Sequence, residues 1–387
     1  MRLVIFGLTI SSSWGNGHAT LWRGLCNAFA RMGHHVTFFE RDVPYYAAHR
    51  DLHALPRGDL RLYGGWDGVV ADARRALDGA DAAIVTSYCP DALAATELVL
   101  SSEATRVFYD LDTPVTLDRL DAAARGECAG VPYIGPRGLR DFDLVLSYTG
   151  GEALRRLRER LGARRVVPLY GSVDPSAHQP APPPSGERAA LSYLGTWSAD
   201  RQEALEALFL EPAGRMPGRR FVIGGSLYPQ DFAWRSNIHY LRHVPPSEHA
   251  AFYASAGMTL NITRGPMAAL GYCPSGRLFE AAACGTPILS DTWEGLDRFF
   301  VPGREILVAR TAEEAMEALS LSDREREAVA RAGRERALSE HTAARRAAEL
   351  LGALESVRVA EMAEMAEVAE VAEVAKAGSI GGAPCGG

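Results

Sequence analysis

A chain of 387 residues exceeds what one ordinary hydrophobic core accommodates, so two domains are expected. With 47 % hydrophobic and 23 % charged residues the balance is that of a globular protein, and a net charge of −7 argues against a sequence-independent nucleic-acid binder, which would be basic. No stretch reaches the roughly 18 uninterrupted apolar residues of a membrane-spanning helix.

The apolar start, Arg2–Ile10, reads as a buried strand rather than a signal peptide, because it runs into Gly15-Asn-Gly and a long amphipathic pattern without a cleavage site. Gly17–Met32 follows as a helix, with Leu21, Leu25, Phe29 and Met32 at helical spacing and Gly33 placed to stop it. His35–Glu40, Ala82–Ser87, Arg106–Asp110, Leu144–Tyr148 and Val166–Leu169 are short apolar strands, and Pro90–Leu100 and Glu152–Leu161 are helical. This alternation predicts a parallel sheet covered on both faces, so residues 1–170 form a first α/β domain. Residues 171–186 read as a linker, with four prolines between Gln179 and Gly186.

The pattern then restarts over residues 187–340. Strands are expected at Ala190–Leu194, Arg220–Ile223, Ile238–Leu241, Met258–Ile262 and Pro287–Ser290. Helices are expected at Asp200–Leu208, Ser247–Ala256 and Gly276–Cys284. Ala312–Leu321 and Ser322–Leu354 are amphipathic, with residues 341–356 as the C-terminal helix. Val359–Lys376 repeats Ala-Glu-Met/Val with period three, so its Glu stripe drifts around a helix and forms no stable face. Residues 357–387 are therefore expected to be a solvated, low-complexity tail, partly helical and disordered from Gly378. Two α/β units facing each other make a cleft beyond the carboxyl ends of their strands, where open parallel sheets bind ligands.

The six cysteines form no C-x-x-C pair, so a metal centre and a disulfide framework are both unsupported and reduced, cytoplasmic thiols are expected. Lys376 is the only lysine. Any phosphate clamp must therefore use Arg, backbone N–H groups or helix N-termini.

The strongest motif is Pro274-Ser-Gly-Arg-Leu-Phe-Glu-Ala-Ala-Ala-Cys-Gly. Ser275 can N-cap a helix that Gly285 ends. The free N–H groups at residues 276–278, from Gly276 onward, and the helix dipole favour a diphosphate there. Arg277 and Arg264 can add charge. Glu280, one turn further in, can accept from both hydroxyls of a ribose. The bland alternative is a capped helix carrying a surface Glu–Arg pair. Glu294-Gly295 follows the next strand, and its backbone could meet the donor sugar or phosphate. His243, beyond the Ile238–Leu241 strand, is a candidate nucleobase contact through backbone groups.

In the first domain Gly15-Asn-Gly-His18 joins strand to helix without the G-x-G-x-x-G pattern of a dinucleotide fold. Its glycines let backbone approach a ligand closely. His18 would then point into the cleft as a candidate general base. Asp110-Leu-Asp112 ends a buried strand, and one of its two carboxylates is expected to face the cleft, to take an acceptor proton or fix the acceptor. Structural readings compete: a histidine solvating a helix start and a carboxylate capping the next turn.

The run from Gly271 to Phe300 resembles the donor-site signature of the CgeB-like (spore maturation protein type) glycosyltransferases, within the GT-B group related to glycosyl transferases group 1. Gly15-Asn-Gly-His-Ala-Thr-Leu-Trp-Arg-Gly-Leu, Phe108-Tyr-Asp-Leu-Asp-Thr-Pro-Val-Thr-Leu, Leu194-Gly-Thr-Trp-Ser-Ala-Asp-Arg and Pro302-Gly-Arg-Glu-Ile-Leu agree with it, in order, over roughly residues 1–350. The resemblance implies an α/β protein of GT-B architecture, two Rossmann-like domains facing across a cleft. It implies hexosyl transfer from a nucleotide diphosphate-sugar, with a UDP- or dTDP-sugar as expected co-substrate, no other cofactor and no metal. The second domain would hold the donor and the first an unnamed acceptor. It aligns Arg201 with a basic phosphate-binding residue. Where many retaining relatives place a second Glu, eight residues before the one matching Glu280, this sequence has Tyr272, so a retaining outcome does not carry over. A nucleotide-sugar epimerase and a non-catalytic nucleotide-sugar-binding protein are the rival readings.

Overall fold

The structure is a computed structural model that describes residues 1–183 and 185–380, with side chains described to residue 366. Seven parallel strands build the first sheet: β1 (Arg2–Gly7), β2 (His35–Arg41), β3 (Gly58–Tyr63), β4 (Ala82–Thr86), β5 (Thr105–Asp110), β6 (Leu144–Ser147) and β7 (Val166–Pro168). Their spatial order is β3-β2-β1-β4-β5-β6-β7. The central strands are continuous apolar runs because both faces are covered. On one face Leu3, Ile5, Phe38, Ile84 and Val107 pack with Leu25 and Phe29 of α1 (Gly17–Arg31). On the other, Val4, Phe6, Phe39, Val85 and Val145 pack against the remaining helices. One of those is α2 (Thr113–Ala124), which follows β5 closely and has Pro114 in its first turn.

The second sheet has six strands: β8 (Leu191–Leu194), β9 (Phe221–Gly224), β10 (Ile238–Leu241), β11 (Thr259–Asn261), β12 (Ile288–Ser290) and β13 (Leu307–Val308). Its order is β10-β9-β8-β11-β12-β13, and every pairing is parallel. The helix α3 (Gly276–Ala283) lies on it, with Leu278, Phe279 and Ala281–Ala283 buried.

The chain order reverses between β1 and β4 in one sheet and between β8 and β11 in the other. These are the two switch points at which open α/β sheets leave a crevice. Trp14, in the loop after β1, packs on His243 from beyond β10, with ring centroids 4.6 Å apart. The N–H of Gly150 donates to the carbonyl of Tyr272 at 3.0 Å, a second link between the domains.

Three expectations change. The strand β3 alternates polar and apolar residues and sits half-exposed at an edge, so its pattern is weak. The helical segment Ser322–Leu354 is broken at His341 and Thr342 into Asp323–Glu340 and α4 (Ala343–Ile380). The tail expected to be only partly helical continues α4 to Ile380. Its first turns are docked on the first domain, with Leu350, Leu354 and Val357 fully buried. Once so nucleated, a run of Ala, Glu and Met extends without a new nucleation cost. Val359, Met362 and Met365 are exposed, as a drifting stripe requires. Residues 381–387 of the expected tail, including Cys385, and Pro184 of the linker lie outside the described residues. No helix among the described residues is long and apolar enough to cross a membrane.

Candidate active site

The two switch points open onto one interdomain cleft of about 660 Å³. His18, Asp112, Arg201, His243, Arg264, Ser275, Gly276, Arg277 and Glu280 all line it. The first domain's wall is the loop between β1 and α1. Its shape is set by Glu40 at the end of β2, a buried acid that the sequence reading passed over. The Glu40 carboxylate accepts from the Thr9 and Ser11 hydroxyls and from the N–H groups of Ile10 and Ser11, at 2.5–2.9 Å. Asn16 then caps α1, accepting from the His18 N–H at 3.1 Å. That cap fixes His18 on the first turn, facing the cleft.

His18 Nε2 lies 3.5 Å from Asp112 Oδ2, and His18 Nδ1 has no hydrogen-bond partner. Asp112 occupies the N-cap position of α2 but its side chain makes no cap bond, so the carboxylate is free to face His18. Of the two carboxylates, Asp112 is the one that lines the cleft. Asp110 is corrected as a catalytic candidate: it is fully buried beneath α2 and does not reach the cleft. Its Oδ1 accepts from Thr116 Oγ1 at 3.0 Å and from the Asp112 N–H at 3.2 Å, while Oδ2 is unpartnered.

Burial raises the Asp110 pKa to about 7. A carboxyl that holds its proton more tightly folded than unfolded stabilises the fold at low pH and loses that contribution as pH rises toward 7. Asp110→Asn removes the ionisation and keeps the shape. Its stability relative to the wild type is expected to rise by about 2–3 kcal/mol between about pH 5 and about pH 8, read from denaturant unfolding at each pH. A difference independent of pH would show that Asp110 is ionised in the fold.

The second domain supplies the cations. Arg277 crosses the switch point itself: its Nε donates to the Leu194 carbonyl at the end of β8 and its Nη1 to Asn261 Oδ1 at the end of β11 (2.9 Å). The guanidinium also lies over the Tyr193 ring, 5.3 Å from its centroid. Arg201 donates from Nη2 to the Thr196 carbonyl, and its Nε is unpartnered. Arg264 pairs with Asp200 at 3.4 Å and stands just before a short helix, Gly265–Leu270, that the sequence reading missed. Close backbone packing lets the β8 loop line the cleft. At Gly225 (φ +145°) a Cβ would lie 2.1 Å from the Gly195 carbonyl oxygen, so only glycine fits.

Ser275 stands at the N-cap of α3 without a side-chain cap bond, which corrects the expected capping role and leaves its hydroxyl to the cleft. The N–H groups of residues 276 and 277 have no intrahelical acceptor, as at any helix start. Glu280 is buried, and Oε2 faces Tyr253 and His249 at 3.4 and 3.3 Å. Burial would raise its pKa, but the fields of His178, then His249, and of Arg277 hold it below the usual carboxylate range.

Two expected donor contacts fall elsewhere. Glu294 is exposed, and its carbonyl accepts from the Tyr272 N–H at 2.7 Å. Gly295 lies against the Tyr272 ring, which would stand 2.5 Å from a Cβ there. The bend at Gly271 and Tyr272, both at positive φ, folds this tyrosine between Gly295 and Gly151, so Glu294 and Gly295 are screened from the cleft. The ring of His243 reaches the cleft but is engaged by Trp14.

Residues 201–352 match the family described as glycosyl transferase-like. No curated protein matches the sequence significantly. Among solved structures, sucrose-phosphate synthase from Thermosynechococcus elongatus shares 14 % identity, with 93 % of this chain and 100 % of that one covered, at a TM-score of 0.64. HepE of Anabaena, solved with UDP-glucose, shares 12 % identity over 92 % of this chain and 100 % of its own, at 0.62. An alpha-glucosyltransferase solved with UDP and a 13-mer DNA shares 14 % identity over 92 % and 99 %, at 0.65. The chain therefore has the two-domain GT-B fold of glycosyltransferases, and its second domain, with the start of α4, is similar in sequence to a glycosyl transferase-like family.

Proposed function

We propose that this protein transfers a hexosyl group from a nucleotide diphosphate-sugar to an acceptor hydroxyl. The observation that carries the reading is the meeting of both switch points at one cleft, with three arginines and the open start of α3 on the second domain's wall. Arg201, Arg264, Arg277, Ser275 and the N–H groups at Gly276 and Arg277 would hold the diphosphate, and Glu280 the ribose. The leaving diphosphate gains negative charge in the transition state, and these fixed donors meet it without a metal between the phosphates. A UDP- or dTDP-sugar is the donor we favour, and the motifs quoted above favour the CgeB-like branch.

On the facing wall, His18 would take the acceptor proton, with the Asp112 carboxylate beside its Nε2 to hold the ring. Asp112 also stabilises the imidazolium as it forms.

Thermal unfolding against a panel of nucleotides tests the donor assignment. A matching nucleoside diphosphate at about 100 times its Kd stabilises by about 2.7 kcal/mol, a rise of a few degrees in Tm. Nucleosides without the diphosphate should give far less. No stabilisation by any nucleoside diphosphate would sink the reading. Product analysis with donor alone separates transfer from epimerisation, which needs no acceptor.

A further inference from the structure

Glu280 has two oxygens with different surroundings. Oε1 lies toward Gly276, 4.0 Å from where a Cβ would stand. Oε2 turns the other way, into a buried group with two histidines far away in sequence. His178 comes from the interdomain linker and is 1 % exposed, and His249 opens the helix His249–Ala254. His178 Nε2 is 3.2 Å from His249 Nδ1, His249 Nδ1 is 3.3 Å from Glu280 Oε2, and His178 Nε2 is 4.0 Å from the same oxygen.

We propose that His178, His249 and Glu280 form a binding site for one borderline divalent metal ion, with Zn²⁺ the best fit. Zinc bonds of about 2.0–2.2 Å in tetrahedral geometry set neighbouring ligand atoms about 3.3–3.5 Å apart. Two of the three separations fall at that spacing or just below it, and the third closes to it by a small rotation. The ligand set, two imidazoles and one carboxylate, is one that zinc uses, whereas magnesium and calcium prefer oxygen alone.

The second contact of His249 supports the same assignment. His249 Nε2 faces the Val244 carbonyl at 3.3 Å, and a carbonyl can only accept, so that nitrogen carries the proton. Nδ1, the other ring nitrogen, faces the carboxylate oxygen Oε2 of Glu280. A cation between them would bond to both, and a carbonyl holding the outer N–H is the usual support of a metal-bound histidine.

His249, Tyr253 and Glu280 all line the cleft, so an ion held by this group would be reached from it. The ion sits behind the proposed ribose site rather than on the diphosphate, and Glu280 Oε1 remains available. Its role is to fix the Glu280 carboxylate and tie the linker to the second domain.

The test uses the full chain, stripped with EDTA and free of nucleotide, so it stands or falls separately from the glycosyltransferase reading. Titration calorimetry and native mass spectrometry with ZnCl₂ should show one ion per chain. His178→Gln and His249→Gln should each weaken binding by more than the roughly 10–100-fold that losing an outer partner of a metal ligand costs. Circular dichroism checks that both variants are folded. Co²⁺ added to the stripped wild type should give the intense visible bands of four-coordinate cobalt, a readout that needs no variant. Failure of the wild type to take up Zn²⁺, uptake unchanged in folded variants, or weak six-coordinate cobalt bands would each overturn the site.

Discussion

Arg277→Lys is expected to weaken UDP binding about 10–100-fold, although the charge is kept. The reason is the number of tasks this guanidinium performs. Nε holds the Leu194 carbonyl, Nη1 holds Asn261, and the ring of Tyr193 supports the plane. That leaves Nη2, which in the proposed site would meet a phosphate oxygen at no further ordering cost. An ammonium is a single point on a flexible stem and cannot serve both strand ends and a ligand. A hydrogen bond to a charged group contributes about 1.5–3 kcal/mol, and each 1.4 kcal/mol is a factor of ten in Kd. Because the Leu194 carbonyl and Asn261 also lose their donor, the variant should melt earlier, so affinity is read by calorimetry well below its Tm. Ser275→Ala provides the contrast. Its hydroxyl caps nothing in the free protein, so stability should stay within about 0.5 kcal/mol while UDP affinity falls. Unchanged affinity in both variants would remove the start of α3 from the donor site.

The start of α3 was legible in the sequence for a local reason. Pro274 and Ser275 open the helix and Gly285 follows its end, so the orphan N–H groups can be placed by counting. The same counting cannot show what Arg277 touches, because Leu194 and Asn261 come from two other strands. Alternation along an extended strand would put Asp110 and Asp112, two residues apart, on the same side, so it could not show which one meets the cleft. That depends on α2 starting at once, with Thr116 reaching back to cover Asp110.

Residues whose partners lie far along the chain were the least legible. Glu40 looked like the last residue of an ordinary strand, yet its carboxylate organises the loop that carries His18. The signal was present: an acid closing an otherwise apolar run, opposite a Thr-Ile-Ser-Ser segment with hydroxyls and free N–H groups to offer. His178 and His249 gave no pattern at all, since metal-ligand spacing is recognised along a chain and these two meet only through the fold. Tyr272 was noticed as a substitution, but its consequence is a backbone one. At positive φ it turns away from the cleft and becomes part of the domain junction.

His18→Ala is expected to lower kcat about 10²–10⁴-fold, the usual contribution of a positioned general base, with little change in UDP affinity. His18 belongs to the wall opposite the arginines, so donor binding and proton transfer are separable by variant. Asp112→Asn should also reduce kcat while leaving the imidazole in place. An amide can still accept one hydrogen bond, but it cannot offset the positive charge that forms on His18 as the proton moves. Stereochemistry supplies the sharper test. A hydroxyl activated by a base attacks the anomeric carbon from the face opposite the departing diphosphate, so the product should carry the inverted configuration. The sequence allows this, because Tyr272 stands where many retaining relatives have their second Glu. Coupling constants of the anomeric proton in donor and product read the outcome directly. Retention would take the base role from His18 while leaving the diphosphate site of Arg277 and Ser275 as it stands.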